Sequence, residues 1–173
     1  TGTILAGTTA LLQPDDAGTN IHIGTNTGGF FSLTDAELDN ITAAVVIAGR
    51  TNSGTLTVIG PDITQPAGWN TLVLIAGGAM TQTLGSNIGN LVTPVTNLSL
   101  QGTGSITLND VDNNVAVLSG ATTGAGNSFS FTDVNSFSVG SVAGVNGVRT
   151  TNGAIDLIAN GDGAGTDTLT VTN

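Results

Sequence analysis

Short apolar segments recur from one end of this chain to the other, each cut off by Gly, Asn, Asp or Pro. Ile21-His22-Ile23, Leu56-Thr57-Val58, Leu98-Ser99-Leu100, Ile106-Thr107-Leu108, Phe129-Ser130-Phe131, Phe137-Ser138-Val139 and Leu169-Thr170-Val171 alternate apolar with polar. An alternation of period two marks an extended strand with one face buried and the other wet. Val45-Val46-Ile47, Leu72-Val73-Leu74-Ile75 and Val115-Ala116-Val117-Leu118 are further short apolar segments. Successive segments lie about 8 to 18 residues apart, so every second or third would close a circuit of about 20 to 28 residues, the period of a solenoid. The expectation is an all-β chain, a parallel β-helix of roughly six to eight coils, in a single domain over residues 1–173. A β-sandwich would satisfy the alternation too. Against it, no Asn-Gly turn sits between adjacent strands. Asn146-Gly147 and Asn152-Gly153 flank a short valine segment, and Asn160-Gly161 opens a longer loop. The pattern predicts one core holding Leu72, Leu74, Leu98, Leu100, Val115, Val117, Phe129 and Phe131, with Ser99 and Ser130 facing out and Phe137 sharing an internal aromatic column.

Charge narrows the function. Only 8% of residues are charged, yet 39% are hydrophobic, so low charge does not mean disorder. The only cationic residues are Arg50 and Arg149, against a net charge of −10. Phosphate binding needs clustered Arg or Lys, so a nucleic-acid partner is excluded and an anionic membrane surface disfavoured. The acidic balance suits a soluble, self-repelling fibre. Absent Cys removes disulfides and thiolate metal sites, and absent Lys removes Schiff-base chemistry and Lys–Asn crosslinks. No apolar run approaches the roughly 20 residues that span a bilayer. Thr1 opens the chain without a signal-like stretch, as in a mature product or a fragment of something longer.

One segment breaks the strand pattern. Leu33-Thr34-Asp35-Ala36-Glu37-Leu38-Asp39-Asn40-Ile41 reads as a helical turn near 34–41, or else as a kinked strand pair. In the helical reading Thr34 or Asp35 is the N-cap, Glu37 completes a capping box with Thr34, and Leu38 and Ile41 share a face.

That segment continues through Thr42, Val46-Ile47-Ala48-Gly49 and Ser53-Gly54-Thr55-Leu56-Thr57-Val58. Further along come Asn70-Thr71-Leu72-Val73-Leu74, Val95-Thr96-Asn97-Leu98-Ser99-Leu100, Asn113-Asn114-Val115-Ala116-Val117-Leu118, Phe131-Thr132-Asp133-Val134 and Thr151-Asn152-Gly153-Ala154-Ile155-Asp156-Leu157. In this order, from about Gly18 to about Leu157, the segments resemble a repeat module of filamentous-haemagglutinin-like, large secreted bacterial β-strand-repeat adhesins. The resemblance implies a right-handed parallel β-helix, secretion to the bacterial cell surface, and a role in adhesion, biofilm or surface filaments. It implies no catalytic residue. The giant size and N-terminal secretion domain of that family are not visible in this chain.

No enzyme is expected. Glu37 is the only Glu, His22 the only His, and the Asp residues are scattered. His22, between Ile21 and Ile23, should point outward. No cofactor is expected beyond two weak calcium candidates, Asp162 and Asp167. They lie in Asp162-Gly163-Ala164-Gly165-Thr166-Asp167-Thr168-Leu169, which matches most of a calcium-binding nonapeptide. That motif works in adjacent copies, and one copy occurs here. Asp110, Asp112 and Asn114 begin an EF-hand spacing but lack its Gly and its closing Glu, so they read as a solvated corner. Trp69 follows the turn Pro66-Ala67-Gly68 and reads either as exposed, a ligand or subunit contact, or as simple packing. It anchors an alternative reading, a carbohydrate-binding module with host or environmental glycans as partners. Asn40-Ile41-Thr42 and Asn97-Leu98-Ser99 match the glycosylation pattern. Residues 1–7 and 168–172 read as strands without the charges of a cap. Both ends are therefore expected to be continued head-to-tail, by other copies or by adjoining repeats.

Overall fold

The computed structural model describes residues 2–159 and 166–172. An eight-stranded sheet contains β2 (Thr9–Leu12), β6 (Val45–Gly49), β8 (Thr71–Ala76), β10 (Val95–Gly102), β12 (Val115–Ala125), β14 (Phe137–Val139), β17 (Val148–Thr151) and β19 (Leu169–Val171). A seven-stranded sheet contains β3 (Ile21–Gly24), β4 (Phe31–Thr34), β7 (Leu56–Val58), β9 (Met80–Gln82), β11 (Ile106–Leu108), β13 (Phe129–Asp133) and β18 (Ile155–Ala159). Two small pairs join β1 (Ile4–Leu5) to β5 (Ile41–Thr42), and β15 (Ser141–Val142) to β16 (Val145–Asn146). From β6 to β13 the chain alternates strictly between the two large sheets. All pairings within these sheets are parallel. Parallel neighbours need a long return path, and here each strand's return path is a strand of the other sheet.

Register explains why the alternation is so regular. In the eight-stranded sheet Ala10, Val46, Leu72, Leu98, Leu118, Val139 and Val171 pair one after another. In the other, Phe31, Ile21, Leu56, Met80, Ile106, Phe129 and Ile155 do the same. The inner members of these two rows lie in one hydrophobic core cluster between the sheets. Each fully buried Leu, Ile or Phe contributes about 1.5–3 kcal/mol relative to exposure, and a one-residue slip would turn a whole row outward. Gly49 shows the tightness of the stack: its φ is +97°, and a Cβ there would run into the Ile75 carbonyl oxygen.

Two details of the core differ from the alternation. Val117 is half-buried rather than in the core, because β12 turns a corner between Val115 and Leu118 and leaves two residues facing outward. The step from Val95 to Leu98 in β10 is built the same way. Ser99 does not face solvent; it and Ser119 are fully buried. The β15–β16 hairpin folds back over the outer face of the eight-stranded sheet, and the Ser119 hydroxyl donates to the Val142 carbonyl at 3.5 Å. Its turn is Ala143-Gly144, with φ of 48° and 82°, not an Asn-Gly pair.

The segment at 34–41 is helical. α1 (Asp35–Leu38) has Thr34 as N-cap, and the capping box with Glu37 is complete in both directions. The backbone and hydroxyl of Thr34 hold the Glu37 carboxyl below its usual pKa. Leu38 and Ile41 are buried. β4 pairs with the edge of β3 that faces away from β7. An internal segment, rather than residues 1–7, therefore supplies the first strand of the seven-stranded sheet. No helix among the described residues is long and apolar enough to cross a membrane.

Candidate functional site

Trp69 is not on the surface. It is 3% exposed, sits in the core cluster, and its indole N–H donates to the Leu38 carbonyl at 3.1 Å. The turn at Pro66-Ala67-Gly68 drives the ring inward, where it fills the space beneath α1. A ring so enclosed offers no stacking face to a sugar.

His22 is half-buried rather than free in solvent. Its ring stacks on Phe30 at a centroid distance of 3.8 Å, and Nδ1 lies 3.0 Å from the Thr27 hydroxyl. The loop between β3 and β4 thus folds over it. His22 belongs to an outward row of the seven-stranded sheet: Ser32, His22, Thr57, Thr81, Thr107, Ser130 and Asp156 pair in sequence. The Thr57 and Thr81 hydroxyls approach to 3.4 Å, and the Ser130 hydroxyl donates to Asn109 Oδ1 at 2.9 Å. These side chains, mostly hydroxyls, repeat at strand spacing along the outer face of the sheet.

The corner at 110–114 is only partly solvated: Asp112 is exposed, as expected. Asp110 and Asn114 are buried. The Asp110 carboxylate accepts from the Gly85 N–H at 2.5 Å and the Asp112 N–H at 3.2 Å, while Asn114 Nδ2 donates to the Asn90 carbonyl at 3.0 Å. Asn113, with no exposed surface, organises this corner. Its Oδ1 accepts from the Ile88 N–H at 2.9 Å and from Gln82 Nε2 at 2.7 Å. Its Nδ2 donates to the Asp110 and Thr132 carbonyls and to Gln82 Oε1. Gln82 occupies a position where the neighbouring strand β7 carries Val58. These two side chains supply hydrogen bonds that the strand ladders do not, as buried backbone groups require. Sequence patterning missed both, since Asn and Gln read as loop residues. The sole cue is that Gln82 interrupts an otherwise apolar row.

Asp133 is the most perturbed acid. It has no exposed surface. Its carboxylate accepts from the Val115 N–H at 2.8 Å and the Asn135 N–H at 2.9 Å. Burial pushes its pKa up to about 7 against the pull of those two donors, and the charge of Asp167 adds to the rise. Asp39 is raised as well, by burial and then by Asp35.

Of the two calcium candidates, Asp162 lies outside the described residues. Asp167 is half-buried, and its carboxylate accepts from the Ser136 hydroxyl at 3.4 Å. Among the described residues no three His, Cys, Asp or Glu side chains gather as metal ligands. The two glycosylation patterns are occupied internally: Asn40 Nδ2 donates to the Ala36 carbonyl, Asn97 Nδ2 to the Asn70 carbonyl, and Ser99 lies under the hairpin. Comparison of the chain with protein-family models, with curated proteins and with solved structures finds no match.

Proposed function

We propose that this chain is an extracellular structural or adhesive fibre module, a right-handed parallel β-helix of the bacterial cell surface. The observation that carries the reading is the seven-residue apolar row from Phe31 to Ile155, in register across all seven strands of one sheet. At about 4.8 Å per strand such a row runs for roughly 29 Å with its hydrogen bonds along the stacking axis, as a fibre under tension requires. Binding is assigned to repetitive outer surfaces such as the hydroxyl row, with surrounding glycans as candidate partners.

The two large sheets are offset by one strand. β4 carries the seven-stranded sheet one strand past β2 at one end, and β19 carries the other sheet one strand past β18 at the opposite end. A second copy, or further chain of the same build, fits this stagger. β18 would then pair with the next β4 and β19 with the next β2, which keeps Ile155 beside Phe31 and Val171 beside Ala10. Ile155 is 47% and Val171 74% exposed, surfaces such a joint would cover. The test is electron microscopy with sedimentation over a concentration series. Rods that lengthen in whole-module steps support head-to-tail assembly. A monodisperse monomer at all concentrations, with fast amide exchange in both β4 and β18, would sink it.

A further inference from the structure

Asn146-Gly147 and Asn152-Gly153 share a dipeptide, and the fold treats them differently. Gly147 follows the β15–β16 hairpin and is held on both sides. Its N–H donates to the Gly140 carbonyl at 2.9 Å, and its carbonyl accepts from the Gly120 N–H at 2.9 Å. Asn152-Gly153 forms the corner between β17 and β18. Asn152 is exposed. Among the described residues, neither its carboxamide nor the Gly153 N–H has a hydrogen-bond partner.

The corner itself selects this dipeptide. Asn152 has a φ of +62°, in the left-handed region that Asn enters more readily than most side chains. Gly153 lies so close to the Asn127 carbonyl that a Cβ there would overlap it. Position 153 therefore takes glycine, which leaves its nitrogen unshielded by a side chain. Rotation about the χ1 and ψ bonds of Asn152 brings that nitrogen onto Cγ and closes a five-membered ring. The reaction is intramolecular and needs no partner to position it.

We propose that Asn152-Gly153 is a self-modification site, where the chain converts Asn152 to isoaspartate without an enzyme. The Gly153 nitrogen gives up its proton and bonds to Asn152 Cγ. The Cγ–Nδ2 bond breaks, and Nδ2 leaves as ammonia with that proton. Water then opens the succinimide. Attack at the Asn152 main-chain carbonyl breaks its bond to the Gly153 nitrogen, which takes back a proton, and the chain then runs through Cβ. Attack at Cγ gives ordinary aspartate. Either product adds one negative charge to a chain of net charge −10. Isoaspartate also lengthens the backbone by one atom between two anchored points. These are the Thr151 carbonyl, held by the Gly126 N–H at 2.8 Å, and the Ala154 carbonyl, held by the Phe129 N–H at 2.9 Å. With Gly153 pressed against Asn127 the corner has no slack for that atom, and the start of β18 is loosened from β13.

The experiment ages the folded chain in warm, mildly alkaline buffer and maps it by mass spectrometry. Trypsin cuts the unfolded product after Arg149, which puts Asn146 and Asn152 on different peptides. Electron-transfer fragmentation separates isoaspartate from aspartate. Asn152 should be modified at least about tenfold faster than Asn146, because Gly147 must first break a hydrogen bond. In urea the two sites should react at similar rates. Amide exchange at Gly126 or Phe129 should quicken in the aged chain. Asn152→Gly, which suits a φ of +62°, should fold, show no modification at that position and keep its exchange slow. An unmodified Asn152, equal rates at the two sites in the folded chain, a difference that persists in urea, or exchange at Gly126 and Phe129 unchanged by ageing would each overturn the proposal.

Discussion

Asp133 should make this protein lose stability as the pH rises toward neutrality, the reverse of what a surface carboxylate does. Its folded pKa is raised from 3.8 to about 7. Between those values the folded chain holds a proton that the unfolded chain has released. The contribution is complete below about pH 4, declines through the interval, and is gone above about pH 7. Roughly three units at 1.36 kcal/mol each set an upper size of about 4 kcal/mol. Glu37, whose pKa is lowered, acts in the opposite sense and loses its contribution as the pH falls. The measurement is therefore a difference: urea unfolding of the native chain and of Asp133→Asn at several pH values from 4.5 to 7.5. The variant cannot ionise, and its Nδ2 would oppose one of the N–H donors from Val115 and Asn135, so it should be weaker at acid pH. The gap between the two should close by about 3 kcal/mol as the pH rises. Parallel curves would show that Asp133 titrates as an ordinary carboxylate, and that burial does not dominate its two hydrogen bonds.

Three further substitutions probe the core and the helical turn. Phe129→Ala removes a fully buried ring from the middle of the long apolar row and should cost about 3–5 kcal/mol in urea unfolding. Trp69→Phe keeps most of the packing but loses the hydrogen bond to Leu38, for about 1 kcal/mol followed by far-ultraviolet circular dichroism. Thr34→Ala dismantles the capping box and should lower stability by about 1 kcal/mol; amide exchange at Glu37 should quicken.

The strands were legible because their cause is local. Ile21, Leu56, Ile106 and Phe129 each carry their own alternation, and a half-buried strand needs little more. The helical turn could be offered beside a kinked strand pair for the same reason: Thr34 and Glu37 lie within one turn of each other. The misreadings of Ser99, Asp110 and Asn114 involve partners distant in sequence. Ser99 looks solvent-facing until the hairpin some forty residues later folds over its face. Asp110 and Asn114 look like a wet corner, but each is bonded to a residue 24 or 25 positions earlier, Gly85 and Asn90. Trp69 looks like a turn residue, yet its partner is the Leu38 carbonyl.

Composition and periodicity were thus enough for an all-β chain with a single apolar core, since burial pattern is a sum over residues taken one at a time. The stacking order, the polar corner of Gln82 and Asn113 and the raised pKa of Asp133 belong to the tertiary structure. Each depends on residues about 18 to 31 positions apart being set side by side. Which residue faces which is decided by the strand register, which the packing of the two sheets selects.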